Sequence, residues 1–399
     1  MLNNYYSRKR LSNYNSTQIL TVVDSKGELY EGNFAFYEIW SRLDGKHTVK
    51  EIIKDIQIEY DASDIIGFEN DIISIIEEML EYELIDDNNT IVPQINYIEN
   101  HILATHIAIT SYCNLHCSHC YLDEKNYGLI ALKDFEDILK DLADIGVLTI
   151  EISGGEPLTH DEFFIFIRLA KEYGFYIKLF TNATLINANN VEYIKKYIDC
   201  YRVSLDGNTI THDLRRGNGS FAKTFAALRL LEGCNVQLTM TVDDTNCNDI
   251  LTVRHMASDL NFKFEASPVV PYSHIQFTYD KLNLIQQKIS EAILSDNAQN
   301  KRANIKGVNC EAAIRTLYIN SKLDLTPCPL LYQSKWHIGN LKNKSIRSLL
   351  ISDKYINVLK YLDELKSNCS GCNKCQFWCA AIADQTLEKV SPFCVKRKL

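Results

Sequence analysis

Residues 107–121 read Ile107-Ala-Ile-Thr-Ser-Tyr-Cys113-Asn-Leu-His-Cys117-Ser-His-Cys120-Tyr121. An apolar strand over 107–110 runs into a loop that packs three cysteines into eight residues. Three thiolates on so tight a loop can hold three irons of a 4Fe–4S cluster and leave the fourth iron open. An open iron can take a ligand offering both an amine and a carboxylate. A tetrahedral zinc completed by His116 or His119 is the other reading of the same spacing.

Downstream of this loop the chain repeats one rhythm of strand, loop and helix. Strands are expected over 107–110, 148–153, 176–180, 201–205, 236–242 and 262–267, with helices such as 131–144, 162–173 and 221–232 between them. Such alternation argues for parallel strands joined by crossover helices. Six units predict an open, partial barrel, with chemistry on the loops after the strand C-termini. The motifs fall there. Ser153-Gly154-Gly155-Glu156-Pro157 ends the second strand, Thr181-Asn182 the third and Ser204-Leu205-Asp206-Gly207 the fourth. Paired glycines allow close backbone approach, and a glutamate can accept hydrogen bonds from an ammonium group. A helix is also expected over 282–295.

Upstream, residues from 18 to about 91 read as a separate small unit. Strands over 19–23 and 28–31 flank the turn Ser25-Lys26-Gly27, and a helix over 34–43 follows. Thr48 and Glu51 have the spacing of a capping box. A third helix over 63–83 carries Ile65, Ile66, Ile72, Ile73, Ile76 and Leu80 on a helical period. Two strands, three helices and a wing predict a winged-helix domain.

Thirteen cysteines are present, and seven lie beyond residue 309: Cys310, Cys328, Cys369, Cys372, Cys375, Cys379 and Cys394. Short spacing suits metal binding better than a disulfide framework. A single zinc ribbon on residues 369–379 is the alternative to iron–sulfur clusters here. Cys200, Cys234 and Cys247 are scattered and read as small buried apolar side chains.

The net charge of −9 gives no basic field to neutralise phosphates, which argues against nucleic acid as a partner. With no apolar run long enough to span a bilayer and no apolar stretch after the polar N-terminus, neither membrane nor secretion is expected. A cytoplasmic location follows as the expectation.

The CxxxCxxC loop followed by Gly-Gly-Glu-Pro resembles the radical S-adenosylmethionine (SAM) superfamily. His212-Asp213-Leu214-Arg215-Arg216-Gly217 resembles that family's HDxxRG. The resemblance implies that Cys113, Cys117 and Cys120 hold a 4Fe–4S cluster whose open iron binds the methionyl amine and carboxylate. It implies that Gly154, Gly155 and Glu156 face the amine, and that the Tyr121 backbone faces the adenine. Asn182 and Ser204 become cofactor contacts, and Arg216 offers a planar fork to the carboxylate. No acid or base catalyst is implied.

The C-terminal cysteines resemble a SPASM domain with two auxiliary 4Fe–4S clusters. By order, Cys310, Cys328 and Cys379 would hold one, and Cys369, Cys372, Cys375 and Cys394 the other. This chain departs from the family in having two residues between Cys372 and Cys375 where five are usual, and Leu323 where glycine is usual. The N-terminal unit resembles the PqqD-like element that binds leader peptides.

Together these resemblances give an α/β chain of three parts. Residues 1–98 would form the winged-helix leader-binding domain, 99–300 a partial (β/α)6 TIM-like barrel, and 301–399 the iron–sulfur domain. The whole is similar to the thioether-forming (sactipeptide) maturases of ribosomally made peptides. The implied partners are a cysteine-rich precursor peptide and an electron donor such as flavodoxin or ferredoxin. The same architecture also serves carbon–carbon crosslinking, as in PqqE-type enzymes, and serine or cysteine oxidation, as in sulfatase maturases.

Overall fold

The computed structural model describes residues 1–9, 12–14, 20–24, 26–62, 66–87, 102–122, 128–269, 281, 284–285, 287–289, 291, 310–331, 334–367 and 379–384. Most of the helix expected over 282–295 lies outside these residues.

The N-terminal unit runs β1 (Tyr5–Arg8), β2 (Ser12–Tyr14), β3 (Leu20–Val23), β4 (Leu29–Gly32), α1 (Phe34–Arg42), β5 (Asp44–Thr48), α2 (Val49–Glu59), α3 (Phe68–Glu81) and β6 (Ile85–Asp86). The expected capping box is present. Glu51 N–H donates to Thr48 Oγ1 at 3.3 Å, and Thr48 N–H donates to Glu51 Oε2 at 2.8 Å. Trp40, Leu43, Val49, Ile76 and Met79 fill the core between the three helices. The sheet content exceeds the expectation, for there are two three-stranded antiparallel sheets, β5-β1-β6 and β2-β3-β4. The winged-helix description is therefore not confirmed. Its extra strands come from the first fourteen residues and from the polar Asp44–Thr48, neither of which carries an apolar alternation.

All six expected barrel strands form: β7 (Ala104–Thr110), β8 (Thr149–Gly154), β9 (Tyr176–Thr181), β10 (Cys200–Ser204), β11 (Val236–Val242) and β12 (Lys263–Pro268). They pair in parallel in chain order, with α4 (Leu132–Asp144), α5 (Phe163–Glu172), α6 (Val191–Tyr197), α7 (Thr209–Arg216), α8 (Ser220–Leu230) and α9 (Ile250–Asp259) in the connections. Side chains alternate across each strand. Ile107, Ile150, Ile152, Ile177, Leu179, Val203 and Leu238 are buried with Phe135, Phe163 and Phe166 of the helices. Phe135 and Phe166 stack at 4.2 Å. The opposite, concave face is polar: His106, Glu151, Lys178, Arg202 and Gln237 fall on it by the same alternation.

The sheet does not stop at β7. On its other side β13 (Thr316–Ile319) pairs with it in parallel, and β14 (Asp324–Thr326) and β15 (Gly339–Asn340) extend the sheet antiparallel. In the turn after β13, Leu323 takes φ 68°, the left-handed region that glycine enters without strain. That accounts for a glycine being usual there. Helices α10 (Ile346–Leu350), α11 (Asp353–Ser367) and α12 (Ala380–Asp384) complete the C-terminal segment. The turn between β3 and β4 rests against the barrel at the first residue of β9. A Cβ on Gly27, at φ 81°, would stand 2.6 Å from Tyr176 Oη.

Candidate active site

The cysteine loop is held from three directions. From β8, Gly155 N–H donates to Thr110 O and Glu156 N–H to Tyr112 O, both at 2.8 Å. A Cβ on Gly154 would meet Thr110 O at 2.3 Å, and one on Gly155 would meet Tyr112 O at 2.2 Å and Cys113 Cβ at 2.8 Å. The two glycines are required by backbone approach. From β9, Asn182 Nδ2 donates to Asn114 Oδ1 at 3.0 Å and lies 4.0 Å from Cys113 Sγ. From the end of α7, the Arg215 carbonyl accepts Ser118 N–H at 2.9 Å.

Glu156 is also bonded within the protein. Its carboxylate is fully buried and accepts Thr181 Oγ1–H and Asn182 N–H, each at 2.7 Å, and Leu158 N–H at 3.3 Å. Burial outweighs these donors and pushes the carboxyl up to about 7. The side chain thus pins the end of β9 beneath the cysteine loop.

Arg216 is buried, and its Nε donates to Asp206 Oδ2 at 2.6 Å. Asp206 is also fully buried. His119 Nε2 lies 3.2 Å from Oδ2, while Thr241 N–H donates to Oδ1 at 3.1 Å. Despite its burial, Asp206 is held well below the usual carboxylate range, with Arg216 the strongest of the opposing charges. Burial drives His119 down to about 3, so this ring is neutral. Arg215 donates to Asp243 Oδ2 at 2.5 Å and to Thr245 Oγ1 at 2.7 Å. Burial works against the Arg216 charge, but Asp206 first and then the Cys117 and Cys113 sulfurs hold its pKa up, so the cation is felt at the cysteine loop. A fixed cation there favours thiolates.

Tyr121 is half-buried directly after Cys120, and Ser204 ends β10 half-buried opposite Thr239. Asp206, Arg215 and Asp243 carried no assigned role from sequence, and His119 only that of an alternative zinc ligand. Asp206 lay within a quoted motif, but only the folded arrangement shows that it carries Arg216.

In the C-terminal segment, Cys379 and Cys310 are the charges that act on Cys328, whose thiol is pushed far up, first by burial and then by these two. All three of these thiols are half-buried against the same apolar core. Cys369, Cys372, Cys375 and Cys394 lie outside the described residues. Among the described residues no three His, Cys, Asp or Glu side chains converge on one metal-ion position. Thiolates that each hold a different iron need no such point, and the donor set and nearby cation fit a cluster. Cys200 and Cys247 are buried and Cys234 half-buried, as expected of packing residues.

Residues 107–246 match the radical SAM superfamily, 310–376 the SPASM iron–sulfur cluster-binding domain, and 22–85 the coenzyme PQQ synthesis protein D family. The chain is a radical SAM/SPASM enzyme with a PqqD-like domain. Radical SAM enzymes with a SPASM domain use SAM and 4Fe–4S clusters, auxiliary clusters included. The antilisterial bacteriocin subtilosin biosynthesis protein AlbA of Bacillus subtilis (strain 168) is 26% identical over 368 residues, covering 83% of this chain and 79% of that relative. An AdoMet-dependent heme synthase of Methanosarcina barkeri is 25% identical over 338 residues, 72% of this chain and 95% of the relative. The fold is shared with Streptococcus suis SuiB bound to precursor peptide SuiA, at TM-score 0.66 and 17% identity over 97% of each chain. Among the described residues of this radical SAM chain no helix is long and apolar enough to cross a membrane.

Proposed function

We propose that this radical SAM enzyme matures a ribosomally synthesised, cysteine-rich peptide by joining cysteine sulfur to carbon in intramolecular thioethers. The observation that carries this reading is that a bacteriocin-biosynthesis relative aligns with 83% of the chain, enough to reach all three segments. The match of residues 310–376 to an iron–sulfur cluster-binding domain supports it, because oxidative bond formation needs an electron acceptor.

In this reading Cys113, Cys117 and Cys120 hold the radical-site cluster, and Gly154, Gly155, Glu156, Asn182, Ser204, Arg216 and Tyr121 surround SAM. Bound SAM supplies the 5′-deoxyadenosyl radical that takes hydrogen from the peptide. The protein's own share is to position the reactants and exclude water. The leader of the precursor adds as a strand to an edge of the β2-β3-β4 sheet, where backbone hydrogen bonds supply affinity. Flavodoxin or ferredoxin delivers the electron, in the cytoplasm.

Anaerobic reconstitution followed by incubation with the precursor tests the reading. We expect about twelve irons per chain, as for three 4Fe–4S clusters, release of 5′-deoxyadenosine, and loss of two hydrogens per bond by tandem mass spectrometry. Cys328→Ser should remove about four of those irons. A single zinc without labile sulfide, or a modified peptide whose fragments show carbon–carbon bonds or an oxidised serine, overturns it.

A further inference from the structure

One group of side chains on the concave face of the barrel has no part in the site above. His106 Nε2 is hydrogen-bonded to Ser153 Oγ, and His106 Nδ1 stands 3.5 Å from Glu151 Oε2. The register makes this possible. His106 on β7 lies opposite Glu151 on β8, and Ser153 is one step further toward the glycine pair. Hydroxyl, imidazole and carboxylate thus stand in the order that lets a histidine accept a proton through a hydroxyl while a carboxylate steadies the imidazolium.

The neighbours favour the same assignment. Lys178 Nζ lies 3.4 Å from Glu151 Oε1, and Glu151 is held down at about 2 despite its burial, by its bond to His106 and the Lys178 charge. An ionised Glu151 keeps the proton on Nδ1, which leaves the Nε2 lone pair for Ser153. Phe180 and Tyr318 flank the ring at centroid distances of 5.0 and 5.3 Å and fix its plane. The ring retains an opening, its side chain being 13% exposed.

We propose that Ser153, His106 and Glu151 form a proton-accepting relay that takes up the proton a substrate thiol loses when the sulfur–carbon bond forms. The inference rests on the thioether reading above. In that reaction the C–H bond breaks as a hydrogen atom, which leaves in 5′-deoxyadenosine. The S–H bond breaks as a proton, which passes through Ser153 Oγ to His106 Nε2. The S–C bond forms, and the one electron left over goes to an acceptor of the iron–sulfur class. The peptide is oxidised by two electrons in all.

The test compares the reconstituted full chain with its His106→Ala, His106→Gln, Glu151→Gln and Ser153→Ala variants. The readout is thioether formed per 5′-deoxyadenosine released. General-base contributions run to about 10²–10⁴-fold, so this ratio should fall about 100-fold in His106→Ala and recover in part on addition of imidazole. A second readout needs no clusters. In the chain labelled with ¹⁵N-histidine, the ring signals of His106 should show hydrogen on Nδ1, and Glu151→Gln should shift them. Precursor affinity should change less than about threefold, because the relay takes protons and does not anchor the leader. A wild-type enzyme that releases 5′-deoxyadenosine without removing two hydrogens from the peptide overturns the thioether reading. A wild-type enzyme that crosslinks, with variants at the same ratio or no rescue by imidazole, overturns the relay alone.

Discussion

The carboxylate of Glu156 accepts the backbone N–H of Asn182 at 2.7 Å, and Asn182 in turn reaches over to Asn114 on the cysteine loop. The glutamate of the Gly-Gly-Glu motif therefore works beneath the site, joining the ends of two strands and the loop above them.

Its titration should be visible in stability. Burial raises the Glu156 carboxyl from the ordinary 4.5 to about 7. A folded-state value above the unfolded one stabilises the protein fully below the unfolded pKa, and that stabilisation is lost as pH rises through about 7. Urea unfolding of the wild-type chain should thus weaken between pH 5 and pH 8 by on the order of 3 kcal/mol relative to Glu156→Gln. Parallel pH profiles for the two proteins would contradict this.

Gly155→Ala tests the backbone approach. The new methyl carbon would stand 2.2 Å from Tyr112 O, a backbone atom that cannot swing aside. The loop must shift, and iron bound at the first cluster should fall by more than about tenfold. A shift of about 1 Å at reacting groups costs roughly 100-fold in rate. Iron content and 5′-deoxyadenosine release report both effects. The equivalent change at Gly219, at φ 76° but with nothing within 4 Å of a Cβ, adds backbone strain without a close contact and is the control.

Asp206 is fully buried and Arg216 nearly so, and removing Arg216 leaves Asp206 with Arg215 only at 3.8 Å, so a buried charge loses its close partner. Arg216→Met should destabilise the chain by about 3–5 kcal/mol. The double change Arg216→Met with Asp206→Leu should recover part of this loss, since a matched apolar pair leaves no buried ion. Denaturant titration of the three proteins checks the ordering.

Leu323 sets two effects against each other. Glycine would relieve about 1–2 kcal/mol of left-handed strain. It would also give up about 1.5–3 kcal/mol of side-chain burial and add about 1 kcal/mol of unfolded-state freedom. Leu323→Gly should therefore lower stability by roughly 1 kcal/mol or somewhat more, despite the easier backbone. A rise in melting temperature would show that strain dominates.

The six barrel strands were legible because each couples a buried apolar face to a period-two pattern, and the crossover helices because their apolar stripes face that sheet. Strand β5 was hidden, since Asp44-Gly45-Lys46-His47-Thr48 is polar throughout. The pairing of β13 with β7 was hidden for a different reason, because sequence distance gives no hint of which edge a late strand will join. The cysteine loop was legible from spacing alone. The buried charges beneath it were not, for an aspartate such as Asp206 looks like a surface residue until the fold encloses it. The same holds for His106 and Glu151, forty-five positions apart and unrelated until the register sets them side by side.

The parallel pairing of β13 with β7 has a consequence for how the enzyme can be taken apart. Thr316 and Tyr318 lie opposite Ala104 and His106, so the cysteine-rich segment covers the rim of the very strand that leads into Cys113. A chain cut before residue 310 would present that rim bare, as a row of unpaired amides and carbonyls inviting self-association. The barrel and its appendage are better regarded as one inseparable sheet than as a catalytic module with a detachable accessory.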